Sequence, residues 1–231
     1  MKITWLGHSG FKIAIADKVL LIDPWIDGNP VFPKDRRDEA LHDATHIFLT
    51  HGHGDHAANA LDIAKSLGIP VFCIHELATM WEDRDGVTVN GFGKGGTIAL
   101  DDVKVTMVNA SHSSSVDFEG DTLRYAGGEA GLMISGEGHT IYASGDTDIM
   151  ADMDWMGDYH KPDIGILCCG GHYTMDMDRA AYAAKRYFNF TTVIPCHYKT
   201  FPILAQSAQP LVDTLPGVNV LTPDVMETIE I

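Results

Sequence analysis

An α+β fold, with two sheets and helices packed outside them, is the architecture this chain predicts. Three observations carry that reading. Short apolar strand segments crowd the first half, strands alternate with helices in the second, and potential metal ligands recur just past strand ends. The 231 residues suit one domain spanning 1–231, and 45% hydrophobic content with 23 glycines and 10 prolines fits a turn-rich globular enzyme.

Taken in order, apolar runs bounded by turn residues predict strands at 3–6, 11–16, 19–22 and 47–50. A helical period over 57–67 ends at Gly68-Ile69-Pro70, and a strand follows at 71–74. A short helix at 76–82 precedes strands at 88–89, 97–100 and 103–108. Segments 132–135 and 140–143 form a hairpin around Gly136-Glu137-Gly138-His139. The remainder alternates: strand 164–168, helix 177–188, strand 192–195, helix 203–215 and strand 219–221. Between them, the glycine- and serine-rich stretch 110–131 is the candidate for a long active-site loop.

Composition narrows the function. With 16 basic and 32 acidic residues the net charge is −16, which repels phosphate backbones and anionic headgroups, so neither nucleic acid nor membrane is an expected partner. A small-molecule substrate remains. The N-terminal segment reads as a strand and lacks a signal-peptide core. Cys73, Cys168, Cys169 and Cys196 show no CxxC spacing and read as small buried residues in a reducing cytoplasm. A homo-oligomer is open, with Trp25, Phe32, Trp81 and Trp155 as candidates for an apolar contact patch.

The chemistry concentrates in His51-Gly52-His53-Gly54-Asp55-His56, where four potential ligands lie within six residues at a strand end. Neutral imidazole and carboxylate are ligands that zinc and similar ions favour, and the glycines let neighbouring side chains aim inward. Three later strands end on the same residue types. Strand 103–108 leads to His112, strand 140–143 to Asp146 and strand 192–195 to His197. Ligands that each follow a strand can open on one edge of the sheets.

These motifs resemble the metallo-β-lactamase superfamily over nearly the whole chain. Asp23 in Leu21-Ile22-Asp23-Pro24 is similar to that family's first aspartate, His51, His53, Asp55 and His56 to its metal motif, and His112, Asp146 and His197 to its later ligands. The opening Lys2-Ile3-Thr4-Trp5-Leu6-Gly7-His8-Ser9, with Ile22-Asp23-Pro24-Trp25 and Gly28-Asn29-Pro30, resembles the UPF0173 metal-dependent hydrolases, themselves similar to the ascorbate-phosphate lactonase branch.

The resemblance implies a four-layer αββα sandwich with metals at the rim between two sheets. It implies one metal on His51, His53 and His112, a second on Asp55, His56 and His197, and Asp146 bridging. Two zinc ions are expected, with manganese, iron or nickel as alternatives. Ligands two apart on an extended loop reach the same side, whereas the Asp55-His56 turn points at a neighbouring volume. Two metals about 3.5–4 Å apart can share a hydroxide and stabilise an oxyanion. The expected reaction is hydrolysis of a small ester, lactone, thioester or phosphoester. Asp55 would orient the hydroxide, and Asp23 would support the ligand loop from behind.

Three residues are added on position alone. His8 follows the first strand and is a candidate ligand, acid or substrate contact. His172 follows strand 164–168 and is a candidate proton donor or substrate contact. Lys199 is a candidate partner for an anionic substrate group. Asp55, His172 and His8 are thus the catalytic candidates. His53 stands where the redox-active di-iron branch carries glutamate, which favours hydrolysis over electron transfer, and the chain has neither the large inserted domain nor the basic surface usual in the nuclease branches. An iron-dependent oxidoreductase and a non-catalytic metal-dependent sensor are the alternatives.

Overall fold

The computed structural model describes residues 1–82, 84 and 86–231. Among them, one seven-stranded sheet takes β1 (Lys2–Gly7), β2 (Gly10–Ile15), β3 (Lys18–Ile22), β4 (His46–Phe48), β5 (Val71–Ile74) and β6 (Val89–Phe92) in sequence order. The distant β16 (Thr228–Glu230) closes its far edge beside β1. A second seven-stranded sheet runs in the order β15 (Asn219–Val220), β14 (Thr192–Cys196), β13 (Ile164–Cys168), β12 (His139–Ala143), β11 (Ala130–Gly136), β8 (Val103–Asn109) and β7 (Thr97–Leu100).

Both sheets are mixed, antiparallel across hairpins and parallel where a helix intervenes. Every residue of β13 and β14 is buried, as expected of parallel strands covered on both faces. Gly136 pairs with His139 across the β11–β12 turn, where Glu137 and Gly138 both take positive φ, the geometry that a two-residue hairpin favours. A Cβ on Gly136 would lie 2.7 Å from Ile15 Cδ1, so the two sheets meet face to face.

Helices cover the outer faces. α3 (Ala60–Leu67) and α4 (His75–Trp81) pack on β5 and β6, while α6 (Met177–Tyr187) packs on β13 between α5 (Met153–His160) and α7 (Gln209–Thr214). α1 (Arg37–Leu41) and the single-turn α2 (Gly54–Ala57) complete the helices named here. This is the expected αββα sandwich. No helix among the described residues is long and apolar enough to cross a membrane.

Several expectations shift. The helix expected at 57–67 begins later, as α3 at Ala60, and the Asn59 Oδ1 just before it accepts the backbone N–H groups of Ile26 and Asp27 at 2.7 and 2.8 Å. The helix expected at 203–215 shortens to α7. Its first half is diverted into loop bonds, from Lys199 N to Ala205 O and from Ala205 N to Gly170 O. The predicted loop 110–131 carries a small hairpin of β9 (Ser115–Val116) and β10 (Arg124–Tyr125) and ends in β11. Phe32 and Trp81 lie in the core, so the four-residue apolar patch does not form on the surface. All four cysteines are buried and free.

Candidate metal centre

Strand direction gathers the site. β1, β3 and β4 run one way in the first sheet, as β8, β12, β13 and β14 do in the second. Their ends deliver His8, Asp23, the His51–His56 run, His112, Asp146 and His197 to one rim between the sheets. The turns that allow this are tight. A Cβ on Gly52, between His51 and His53, would lie 2.5 Å from Ala126 Cβ. Gly145, just before Asp146, has φ +59 and would place a Cβ 2.4 Å from Ala130 O.

One group of donors is purely imidazole. His51, His53 and His112 each offer a ring nitrogen within 4.8 Å of the others, with His51 Nε2 3.0 Å from His53 Nδ1. Asp23 orders this group from behind. Its Oδ1 accepts Thr50 N–H at 2.8 Å and its Oδ2 accepts the Thr50 hydroxyl at 2.6 Å. With its proton committed, Thr50 Oγ1 accepts from His51 Nδ1 at 3.1 Å, which leaves the His51 Nε2 lone pair free.

The second group mixes imidazole and carboxylate. His56 Nδ1–H donates to Asp23 Oδ2 at 2.8 Å, leaving Nε2 3.3 Å from Asp146 Oδ2 and 3.9 Å from Asp55 Oδ1. His197 Nε2 lies 3.0 Å from Asp146 Oδ2 and 3.9 Å from Asp55 Oδ2. The same Asp146 oxygen is 3.8 Å from His112 Nε2, so it stands between the two groups. His8, fully buried, reaches Asp55 Oδ2 through Nε2 at 2.9 Å.

Protonation divides the groups in the same way. Burial pushes His51 well below the ordinary imidazole range, reinforced by His56, and burial also lowers His112. At His56 burial is outweighed by Asp146, Asp23 and Asp55, which hold its pKa well above 6.5. At His197 burial is likewise outweighed, by Asp146, and the pKa rises. Burial opposes ionisation of Asp146 and Asp55, yet His197 and His56 hold the first well below the carboxylate range, and His56 and the His8 hydrogen bond hold down the second. Burial takes His8 down to about 4.

These residues fit a divalent metal centre. Buried His56 Nε2 and Asp146 Oδ1 have no hydrogen-bond partner among the described residues, an arrangement that a ligated cation resolves. The 3.0–3.9 Å separations in the second group bracket the ligand-to-ligand edge of a tetrahedral site, which is about 3.3 Å for bonds of about 2.0–2.1 Å.

A cavity of about 270 Å³ opens over the rim, walled by His53, Asp55, His112, Asp146 and His197 and, beyond them, by Ser113, Asp117 and Tyr173. His172 stands exposed outside that wall with its ring against Tyr173, centroids 4.5 Å apart. Lys199 also lies outside it, over the Tyr198 ring at 5.2 Å. Sequence reasoning passed over Asp117 and Tyr173. Asp117 Oδ1 accepts Gly54 N–H at 2.9 Å, a link across sequence that no local motif announces.

Residues 18–224 match the Beta-lactamase superfamily domain, and the whole chain is 64% identical over 231 residues to a UPF0173 metal-dependent hydrolase of Dinoroseobacter shibae, covering 100% of both. The chain belongs to the UPF0173 metal-dependent hydrolase family. A UPF0173 hydrolase of Paracoccus denitrificans is 64% identical over 229 residues, 99% of each chain. Among solved structures, this UPF0173 chain is similar to Igni18, a metallo hydrolase from Ignicoccus hospitalis, with a TM-score of 0.85 and 30% identity over 99% of this chain and 97% of that one. The metallo-β-lactamase fold implied by the motifs is thus the fold present.

Proposed function

We propose that this UPF0173 chain hydrolyses a small uncharged ester, lactone or thioester with two divalent ions, the first on His51, His53 and His112, the second on Asp55, His56 and His197, with Asp146 between them. One observation carries the reading: a single Asp146 oxygen lies 3.0 Å from His197, 3.3 Å from His56 and 3.8 Å from His112. Zinc suits this nitrogen and oxygen donor set, and manganese, iron and nickel suit it as well. Bound there, the ions supply Lewis acidity and a water of lowered pKa.

The chain's own residues supply the rest. Asp23 holds His56, and through Thr50 His51, in the tautomers that leave Nε2 free. Asp55, ionised and in the cavity wall, orients the attacking water. Ser113 and Tyr173 offer hydroxyls to a substrate's polar edge. The wall residues described include neither lysine nor arginine, while Asp117 adds a carboxylate, so an anionic tail meets no counter-charge apart from the ions. That favours carbonyl substrates over phosphoesters. The buried free cysteines suit a reducing cytoplasm.

The test is turnover of a panel of uncharged lactones, esters and thioesters beside phosphoesters, with ion-loaded protein and an Asp55→Ala control. Turnover of a carbonyl class that the control loses supports the reading. Turnover confined to phosphoesters contradicts the substrate class, and equal turnover in the control contradicts the site.

A further inference from the structure

His8 lies at the metal rim without reaching the cavity. It leaves β1 with φ 52, is fully buried, and has no part in the cavity wall, so it cannot hand a proton to a substrate there. Its ring is held at both ends. Nε2 is 2.9 Å from Asp55 Oδ2, and Nδ1 is 2.8 Å from Thr200 Oγ1. A neutral imidazole carries one N–H, and an ionised carboxylate only accepts, so that hydrogen sits on Nε2. Nδ1 then accepts the Thr200 hydroxyl, which is nearer to it than to the Tyr198 carbonyl at 3.2 Å.

Two consequences meet on the second ion's ligands. Asp55 is divided, with Oδ2 engaged by His8 and Oδ1 turned toward His56 Nε2 at 3.9 Å. The His8 carbonyl in turn accepts the Trp5 indole N–H and the His197 backbone N–H, each at 3.0 Å. That second bond braces His197 at φ 56, a backbone region that non-glycine residues rarely adopt. One residue therefore grips Asp55 through its side chain and His197 through its backbone.

We infer that His8 is a positioning residue that fixes Asp55 and His197 as ligands of the second ion, with Thr200 setting its tautomer. The role rests on the two-ion reading above. His8 as a third imidazole ligand is the competing arrangement, since its ring nitrogen also lies within 4.8 Å of donors on Asp55, His56 and His197. Both ring nitrogens are already engaged, Nε2 by Asp55 Oδ2 at 2.9 Å and Nδ1 by the Thr200 hydroxyl at 2.8 Å, which favours the hydrogen-bonded role.

Ion binding tests this without any substrate. Thr200→Val, Thr200→Ser and His8→Phe are each titrated with Zn²⁺ against a chelator, with melting of the ion-free proteins followed alongside. Thr200→Val is expected to weaken one of two ions by about 10–100-fold, to leave the other unchanged, and to melt only a few degrees below the wild type. Thr200→Ser restores affinity, and His8→Phe loses the same ion more completely. In a His53→Ala background, X-ray absorption of the retained zinc is expected to count two imidazoles. Wild-type affinity for both ions in Thr200→Val and His8→Phe would overturn the role, as would both ions weakening alike or a count of three imidazoles. A wild-type chain that takes a single ion would overturn the two-ion reading itself, and this role with it.

Discussion

His51, His53 and His112 form a donor group of imidazoles alone, whereas Asp55, His56 and His197 form one already crowded with carboxylates. The proton follows that difference. Burial keeps His51 and His112 below the ordinary imidazole range, so neutral lone pairs face the rim. On the other side, once burial is outweighed, Asp146, Asp23 and Asp55 hold His56 far above that range and Asp146 raises His197. Without ions, carboxylates raise both imidazoles of the second half, so an ion entering it competes with protons. The two halves share Asp146 and Asp23 but differ in how strongly carboxylates hold protons on their imidazoles.

The largest way to break the comparison is to remove the shared group. Asp146→Asn is expected to cost more than about 100-fold in turnover, above the 10–100-fold range of groups that act only behind the ligands, and to weaken both ions in a chelator titration. Weakening of one ion alone would show that Asp146 does not stand between the halves.

Acidity sharpens the contrast. From pH 8 to pH 6 the second ion is expected to lose affinity by up to about tenfold per pH unit for each proton displaced, and the first far less. Zinc titrations at each pH check this. Ion-free stability has its own window. The folded Asp146 and Asp55 lie below 3.8, so their contribution is present above 3.8 and lost as pH falls through the folded values. The folded His56 and His197 lie above 6.5, so their contribution is complete below 6.5 and lost as pH rises through the folded values. His51, His112 and His8 lie below 6.5 when folded and cost stability as pH falls beneath 6.5, so thermal melts of ion-free protein should peak near the upper limit.

A smaller change tests the brace. Asp23→Asn leaves every proposed ligand in place but weakens the acceptor for His56 Nδ1 and Thr50, so ion affinity should fall by about 10–100-fold, more at the second ion than at the first. Smallest of all, Tyr159→Ser on the remote face, where Tyr159 is 78% exposed, should leave ion binding unchanged and shift stability by no more than about 0.5 kcal/mol.

How much of this was legible in sequence depends on the distance over which each contact is specified. The clustering of the candidate donors is legible because each sits past the end of an apolar strand, and parallel strand direction then does the gathering. The αββα layering is legible for the same reason. The His8–Asp55–Thr200 chain is not, since its members lie 47 and 192 residues apart from His8 and no local period connects them. β16 is hidden likewise, because only its pairing with the first strand makes it a strand. Local periodicity overran the helix start by three residues, at Asn59, whose side chain serves the remote backbone of Ile26 and Asp27. At 172–173 the strand-end rule was one residue out: the left-handed backbone at His172, φ 54, leaves that ring exposed while Tyr173 meets the cavity.

The most direct test counts ions per chain by elemental mass spectrometry in zinc-loaded wild type, His53→Ala and His56→Ala. Two independent half-sites joined at Asp146 predict two ions in the wild type and one in each variant. A wild type holding one ion, or a His53→Ala chain holding none, would contradict the division of the centre into two halves.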